Sequence, residues 1–424
     1  MGLRGASLGP LRARPFRLLF FGRTLSGIGD AIVPVAMTLA VIHLGNATDL
    51  GIVLGVGEAS RVIFLVVGGV WSDRLPRQLV MMTMDVLRAI VQGFVAYAFF
   101  THQVHVWQLA TASAIFGFAS AFFNPASTGL IPSIVPTEYL QEANALLGLS
   151  RGLLEVGGPA IASAIVVSLG YGVVFAVDAA SFVASFACLA AMRLPAAVEL
   201  VAGRSMLREA REGVGEILAR RWMVAGVACD LVTNFSLAVL FVLGPAVVIH
   251  HFGSSGNLDW GFVASAGAVG GVAGSAVAVR FKPARPLLVT YVLAFAIPLQ
   301  ILAFVRPLPL AALLAGAVLL GVALTVGNAF WATMEQQYVP GEALARVDSL
   351  LWLGSLVVFP VGLAAAGPIA GAIGKGATLV MAAAMATAAV AGALSVRDVR
   401  RLPRRDPASA VEAEGRALPL PEQV

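Results

Sequence analysis

The sequence predicts an all-α membrane protein whose twelve transmembrane helices form two pseudo-symmetric bundles of six. Three observations carry that expectation. Of the 424 residues, 59% are hydrophobic and only 12% charged, with a mean hydropathy of +0.89, whereas a soluble domain carries roughly 25% charged residues. Twelve apolar stretches each approach the roughly 20 residues that cross a hydrocarbon core. The second half of the chain also repeats the first at one fixed offset, which carries Val135-Pro-Thr-Glu-Tyr-Leu140 onto Val339-Pro-Gly-Glu-Ala-Leu344.

In chain order the stretches are 18–43, 50–71, 79–101, 106–130, 143–168, 171–192, 222–249, 258–279, 287–305, 309–332, 348–370 and 375–396. Lipid cannot satisfy free backbone groups, and these lengths do not suit barrel strands, so helices are expected. Span 1 is too long and too polar in its middle for a cleaved signal peptide, and is expected to be retained. Residues 1–193 then form a first bundle and 222–396 a second. Between them, 194–221 is a hydrophilic linker. Its segment Arg204 to Arg221 reads as an amphipathic helix, with Met206, Leu207, Ala210, Val214, Ile217 and Leu218 on one side. The Pro-rich tail 397–424 is expected to be disordered.

The repeat extends through several loops and spans. At the same offset Asn144 meets Asp348, Leu146-Leu147 meets Leu350-Leu351, Gly117 meets Gly321 and Asn124 meets Asn328. Asp30 of span 1 meets Asn234 of span 7. Transporters built on such parallel repeats place their substrate site at the repeat interface near the bilayer midplane.

Charge placement sets the topology. Arg4, Arg12, Arg14 and Arg17 precede span 1, Arg74 and Arg77 follow span 2, and six arginines between Arg193 and Arg221 follow span 6. The alternate loops hold little beyond Arg306 and Lys375. The positive-inside rule therefore puts both ends in the cytoplasm. The net charge of +5 is topological, and no soluble basic domain points to nucleic acid. Arginine heavily outnumbers lysine, which appears only at Lys282 and Lys375. That bias fits a bacterial gene and hence a bacterial cytoplasmic (inner) membrane. Cys188 and Cys229 both fall within spans, so no structural disulfide, metal site or cofactor is expected. No His-Glu-x-x-His, Gly-x-Ser-x-Gly or P-loop pattern occurs, which argues against an enzyme or an ATP-driven pump in this chain.

Between spans 2 and 3 lies Gly69-Val-Trp-Ser-Asp73-Arg74-Leu-Pro-Arg77, an acid and two arginines packed into a tight turn. This resembles the Gly-x-x-x-Asp-Arg-x-Gly-Arg loop of the major facilitator superfamily, with Pro76 at the usual glycine. Gly157-Gly158-Pro159 and the small residues after it resemble the span-5 motif of the drug/proton antiporters. The run from Asn124-Pro125 to Ala143-Asn144, and Val177-Asp178-Ala-Ala-Ser181-Phe182, are similar to the branch of macrolide-efflux proteins and enterobactin exporters. The resemblance implies a major facilitator fold, a monomer, and a latch of Gly69, Asp73, Arg74 and Arg77. Asp85 and Arg88, about two turns into span 3, are placed with that latch. Gly158 and Pro159 form the bend of span 5.

Ionisable residues at membrane depth cost about 2.5–3.5 kcal/mol each on insertion scales, so they tend to be paired or functional. Glu58 and Arg61, Asp85 and Arg88, and Arg151 and Glu155 stand three or four apart, close enough to pair on one helix face. Glu58, Arg61, Arg151 and Glu155 lie deep enough to line a cavity, and Asp230 and Asn234 of span 7 face them by symmetry. Asp30 has no local base, and burial in an apolar span favours the neutral carboxyl. It is the candidate carrier of a coupling proton. The expected function is proton-driven efflux of a small amphipathic molecule by alternating access. The alternatives are an uptake symporter of the same fold and a non-transporting membrane receptor or scaffold.

Overall fold

The computed structural model describes the backbone of residues 9–192 and 214–404, and side chains throughout them except at 66–74, 137, 341–342, 345–346, 349, 352–353 and 355–356. Among the described residues every regular element is helical. The long helices are α1 (Arg14–Leu44), α2 (Ala47–Arg74), α3 (Arg77–Phe100), α4 (Val106–Ile134), α5 (Leu140–Leu169) and α6 (Tyr171–Ala190). The second half supplies α7 (Arg221–Phe252), α8 (Gly256–Arg280), α9 in two pieces (Pro286–Leu293 and Ala296–Leu302), α10 (Leu310–Tyr338), α11 (Gly341–Ile373) and α12 (Lys375–Ser395). These twelve rods coincide with the twelve apolar stretches. Eight helical runs among the described residues are long and apolar enough to cross a membrane on those criteria alone. One of the eight is the run Arg221–Arg280, which contains both α7 and α8.

Local chemistry sets where the helices start and stop. Asn46 Oδ1 accepts from the Thr48 and Asp49 amides at 2.7 and 3.2 Å, and Asp49 returns the bond to the Asn46 amide at 3.0 Å. That reciprocal pair starts α2 as a capping box. Gly170 and Gly374 end α5 and α11 with φ of 86° and 89°, a left-handed backbone that glycine adopts without steric cost. The two glycines are equivalent under the repeat, so the tight α5–α6 and α11–α12 connections are one motif used twice. Span 9 departs from a continuous helix. Pro298 has no amide to bond the Ala294 carbonyl, which instead accepts from Ile297 at 3.0 Å, and the helix breaks just before the proline.

The halves pack by matching rules. In the first, α2 crosses α4 where Gly117 lies against the Gly57 carbonyl; in the second, α8 crosses α10 where Gly321 lies against the Gly267 carbonyl. A side chain at Gly117 or Gly321 would collide with backbone, so the close approach depends on glycine.

Three apolar clusters define the shape. One cluster spans both halves, joining Leu39, Leu50, Leu109 and Phe175 to Leu243, Ile301, Leu363 and Leu379. The other two are separate: Phe16, Met81, Ile131 and Leu189 in the first half, and Trp222, Leu287, Val347 and Val399 in the second. The halves therefore share a core at one face, the far face. They are independent at the near face, where α1 begins and α12 ends. The tightest joining contacts among the described residues lie on the far side. Gly51 meets the Leu363 carbonyl, Gly55 the Pro360 carbonyl, and Gly367 meets Thr48, all between α2 and α11. Gly261 of α8 meets Ser163 and the Pro159 carbonyl of α5.

The near face of the second half carries an unexpected clasp. The tail is not disordered from 397 onwards: Arg397–Arg401 is helical. The Arg404 amide donates to the Ala284 carbonyl at 3.0 Å, and the Tyr338 hydroxyl donates to the Pro403 carbonyl at 2.8 Å. Backbone hydrogen bonds and burial of Val399 offset the ordering cost that composition alone suggested would prevail. Of the expected linker helix, residues 214–218 are helical and end in a Glu216–Arg220 ion pair at 2.5 Å. Residues 194–213 and 405–424 lie outside the described residues.

Candidate functional site

Between the splayed halves lies a cavity of about 840 Å³. The first half supplies its polar wall and the second an apolar roof of Phe241, Trp260, Phe359 and Leu363. The cavity is closed towards the far face by the α2–α11 and α5–α8 contacts.

Asp30 lines this cavity. Among the described residues it has no hydrogen-bond or ion-pair partner, and it stands in the electrostatic field of Arg88, Arg23 and Arg151. Glu58 and Arg61 also line it, joined as the spacing predicts, with Arg61 Nε donating to Glu58 Oε2 at 2.9 Å. Arg151 Nε donates to Glu155 Oε1 at 2.7 Å, one turn apart on α5 and well exposed at the cavity wall. Each of these acids neutralises its own base, so among the described residues Asp30 is the cavity carboxylate without an ion pair, with Arg88, Arg23 and Arg151 acting on it at longer range.

Asp85 and Arg88 form no such local pair. Arg88 is 3% exposed. Its guanidinium lies 5.0, 4.7 and 5.3 Å from the ring centres of Phe116, Phe123 and Phe182, and donates to Ser120 Oγ at 3.1 Å. It reaches the cavity rather than the near-face loop. Asp85 is fully buried towards α6, where Ser185 acts on it, yet neither carboxylate oxygen has a formed hydrogen bond. The aromatic rings hold the guanidinium on the α4 side, which leaves the two side chains of one helix turn apart.

Asp230 and Asn234 are not among the residues that line the cavity. They lie on the face of α7 that carries Phe241, two to three turns nearer the near face, with Asn234 Nδ2 donating to the Asp230 carbonyl at 2.9 Å. The repeat places Asn234 opposite Asp30 in principle, but α7 meets the enclosed space about two turns higher, at Phe241.

The helix α2 runs unbroken through Gly69, Asp73 and Arg74, whose side chains lie outside those described. Arg77 reaches across to α4, where Nη1 donates to the Gly129 carbonyl. A side chain at position 129 would displace that guanidinium. At the bend, Gly158 lies against Ala31 of α1, where a methyl group would come within 2.5 Å of the Ala31 Cβ. One residue past Pro159, the Ala160 amide donates to Ser265 Oγ of α8 at 3.1 Å. Pro159 therefore lies beside a hydrogen bond between the halves.

Sequence reasoning missed the buried interface behind Asp30. Gln92 of α3 donates from Nε2 to Asp178 Oδ2 of α6 at 2.6 Å, and both residues are fully buried or nearly so. The signal was present: Asp85, Arg88 and Gln92, like Asp178, Phe182 and Ser185, recur at helical period within apolar spans.

Comparison with known proteins agrees with this geometry. The sequence model of the Major Facilitator Superfamily matches residues 19–355. The multidrug efflux pump Tap of Mycolicibacterium fortuitum is 27% identical over 379 residues, covering 86% of this chain and 91% of that protein. Macrolide efflux protein A of Streptococcus pyogenes is 22% identical over 240 residues, 56% of this chain and 59% of that protein. Among solved structures, an inward-facing bacterial homologue of the human lysosomal transporter Spinster superposes with a TM-score of 0.70 at 15% identity. That match covers 94% of this chain and 99% of the other. A family model matching most of the chain, together with twelve helices in two repeated bundles around one central cavity, shows that the protein belongs to the Major Facilitator Superfamily.

Proposed function

We propose that the chain exports a small amphipathic molecule from a bacterial cell, driven by protons, by rocking its two halves about the cavity. Membership of the superfamily makes it a transporter rather than an enzyme. The observation that carries the finer reading is the division of the cavity wall. An aromatic roof suits an apolar skeleton, while Asp30, which forms no ion pair where Glu58 and Glu155 each do, suits a proton or a cationic group. Efflux is supported by the drug and macrolide pumps that the sequence matches. The near face carries the arginine-rich loops, so we assign it to the cytoplasm. The cavity then opens inward, the state in which an exporter loads.

In this cycle Asp30 takes up a proton from outside, and Glu58–Arg61 and Arg151–Glu155 gate the cavity as the halves rock. Gly69, Asp73, Arg74 and Arg77 latch the near face when it closes. The reading is tested in vesicles holding purified protein and a pH dye, with amphipathic drugs supplied under an imposed pH gradient. Proton flux opposite to drug movement, abolished in Asp30→Asn, is the expected result. Drug and proton moving together would identify an uptake symporter, and drug movement without proton flux would remove Asp30 from its role.

A further inference from the structure

Behind the cavity wall, α3 and α6 are joined by a buried polar ladder. Gln92 meets Asp178 on one rung, and Asp85 is acted on by Ser185 on another, two helical turns nearer the near face. Arg88 and Phe182 stand between them. We propose that Asp178 is a second proton-holding carboxyl, exchanging a proton with Asp30 and passing it towards the near face by way of Asp85, outside the substrate cavity. The proposal rests on the proton-coupled reading above and adds a route to it.

Four observations place the proton there. Asp178 and Asp85 have no exposed surface, and a buried carboxylate without full hydrogen bonding is costly as an anion. Asp178 receives the Gln92 amide on Oδ2, while its Oδ1 has no partner, as neither oxygen of Asp85 has. Asp178 Oδ1 lies against Gly29, the residue next to Asp30, where a methyl group would overlap the carboxyl. Asp30 therefore looks into the cavity from α1 while its neighbour abuts Asp178 behind. Finally, Gln92 reaches both sides, bonded to Asp178 and lining the cavity.

The charged and titratable groups facing Asp178 are Asp30 from α1 and Arg88 from α3, with Gln92 and Ser181 as its polar neighbours. On transfer, the O–H bond of Asp30 breaks and one forms on Asp178. The negative charge passes the other way, and Arg88 is the fixed cation near both carboxyls. The net charge of the cluster is unchanged. A molecule bound in the cavity covers Asp30 from the near face, so a path through the α3–α6 interface would let the proton leave while cargo is present.

The test needs no known cargo. Infrared difference spectra of the full chain in lipid vesicles, stepped from about pH 5 to about pH 9, read protonated carboxyls by their C=O stretch. Asp178→Asn is expected to remove one such band. Gln92→Leu is expected to shift the frequency of that band without removing it, because the carboxyl loses a hydrogen bond. In Asp30→Asn the midpoint of the Asp178 band should move by about one pH unit or more, as coupled sites require. A spectrum unchanged by Asp178→Asn, or an Asp178 band indifferent to Asp30→Asn, would overturn the proposal. Should Asp178→Asn fold poorly, Gln92→Leu decides alone, since a merely structural glutamine would leave every carboxyl band in place. Intact bands with transport indifferent to the pH gradient would sink the coupling reading but leave the carboxyl pair standing. Proton-driven transport with silent bands would sink only the pair.

Discussion

At the residue scale, Arg88 shows how an arginine is kept inside a bilayer when its nearest acid in sequence does not take it. Three phenyl rings present their negative faces to the guanidinium, each worth on the order of 0.5–2 kcal/mol. Ser120 accepts one of its N–H groups. Lysine keeps the charge but loses the flat surface. Arg88→Lys is therefore expected to lower stability by about 1–2 kcal/mol, read as an earlier midpoint in detergent thermal melts; an unchanged midpoint would mean that the rings contribute nothing. Gly29 makes a second prediction. Its α-carbon faces the Asp178 carboxyl so closely that Gly29→Ala should cost about 1–3 kcal/mol through overpacking, while Gly93→Ala, with open space around it, serves as the neutral control in the same melts.

At the element scale, α5 is tied to α8 beside Pro159. The Ala160–Ser265 hydrogen bond joins the halves in this state, with the far face closed. Removing it by Ser265→Ala is expected to cost that state about 0.5–1.5 kcal/mol, a two- to tenfold shift of population towards the outward-open form. Spin-label distances across the α5–α8 gap would report it, and an unshifted distribution would show the bond to be incidental. This part of the molecule was only half legible beforehand. Gly158-Pro159 announces a bend, because one residue lacks a side chain and the other an amide. Nothing within α5 says that Ser265, on another helix of the other half, completes it. The same limit explains the rest. Spans, near-face loops and the i to i+3 or i+4 pairs Glu58–Arg61 and Arg151–Glu155 follow from local periodicity. The split between Asp85 and Arg88, the Gln92–Asp178 bond and the offset of Asp230 and Asn234 from the cavity depend on which helix faces which. That information is held in tertiary packing, whereas the break in α9 follows from Pro298, a local signal inside an apolar run.

At the scale of the whole molecule, one shared core at the far face and two separate cores at the near face make a hinge. The proposed latch of Gly69, Asp73, Arg74 and Arg77 would then form when the halves come together at the near face. Asp73→Asn is expected to cut transport severely at normal expression, measured as efflux from whole cells; normal efflux by a well-expressed variant would dismiss the latch. The clasp at the chain's end is separate from this motion, since Tyr338, Pro403, Ala284 and Arg404 all belong to the second half. Ending the chain after Arg404 should leave the melting midpoint unchanged. Ending it before Arg397 should lower the midpoint, because the buried Val399 and both hydrogen bonds are lost.

The lopsided cavity has a consequence for how such a protein can diversify. Among the described residues every ionisable group around it comes from the first half, whereas its roof is made by four hydrophobic side chains of the second. On the proposed reading, changes at Phe241, Trp260, Phe359 or Leu363 would reshape which compounds are accepted while leaving the proposed proton-coupling residues intact. On that reading, cargo preference and energy use would be inherited through different halves of the gene, and selection by a new toxin could act on one without rebuilding the other.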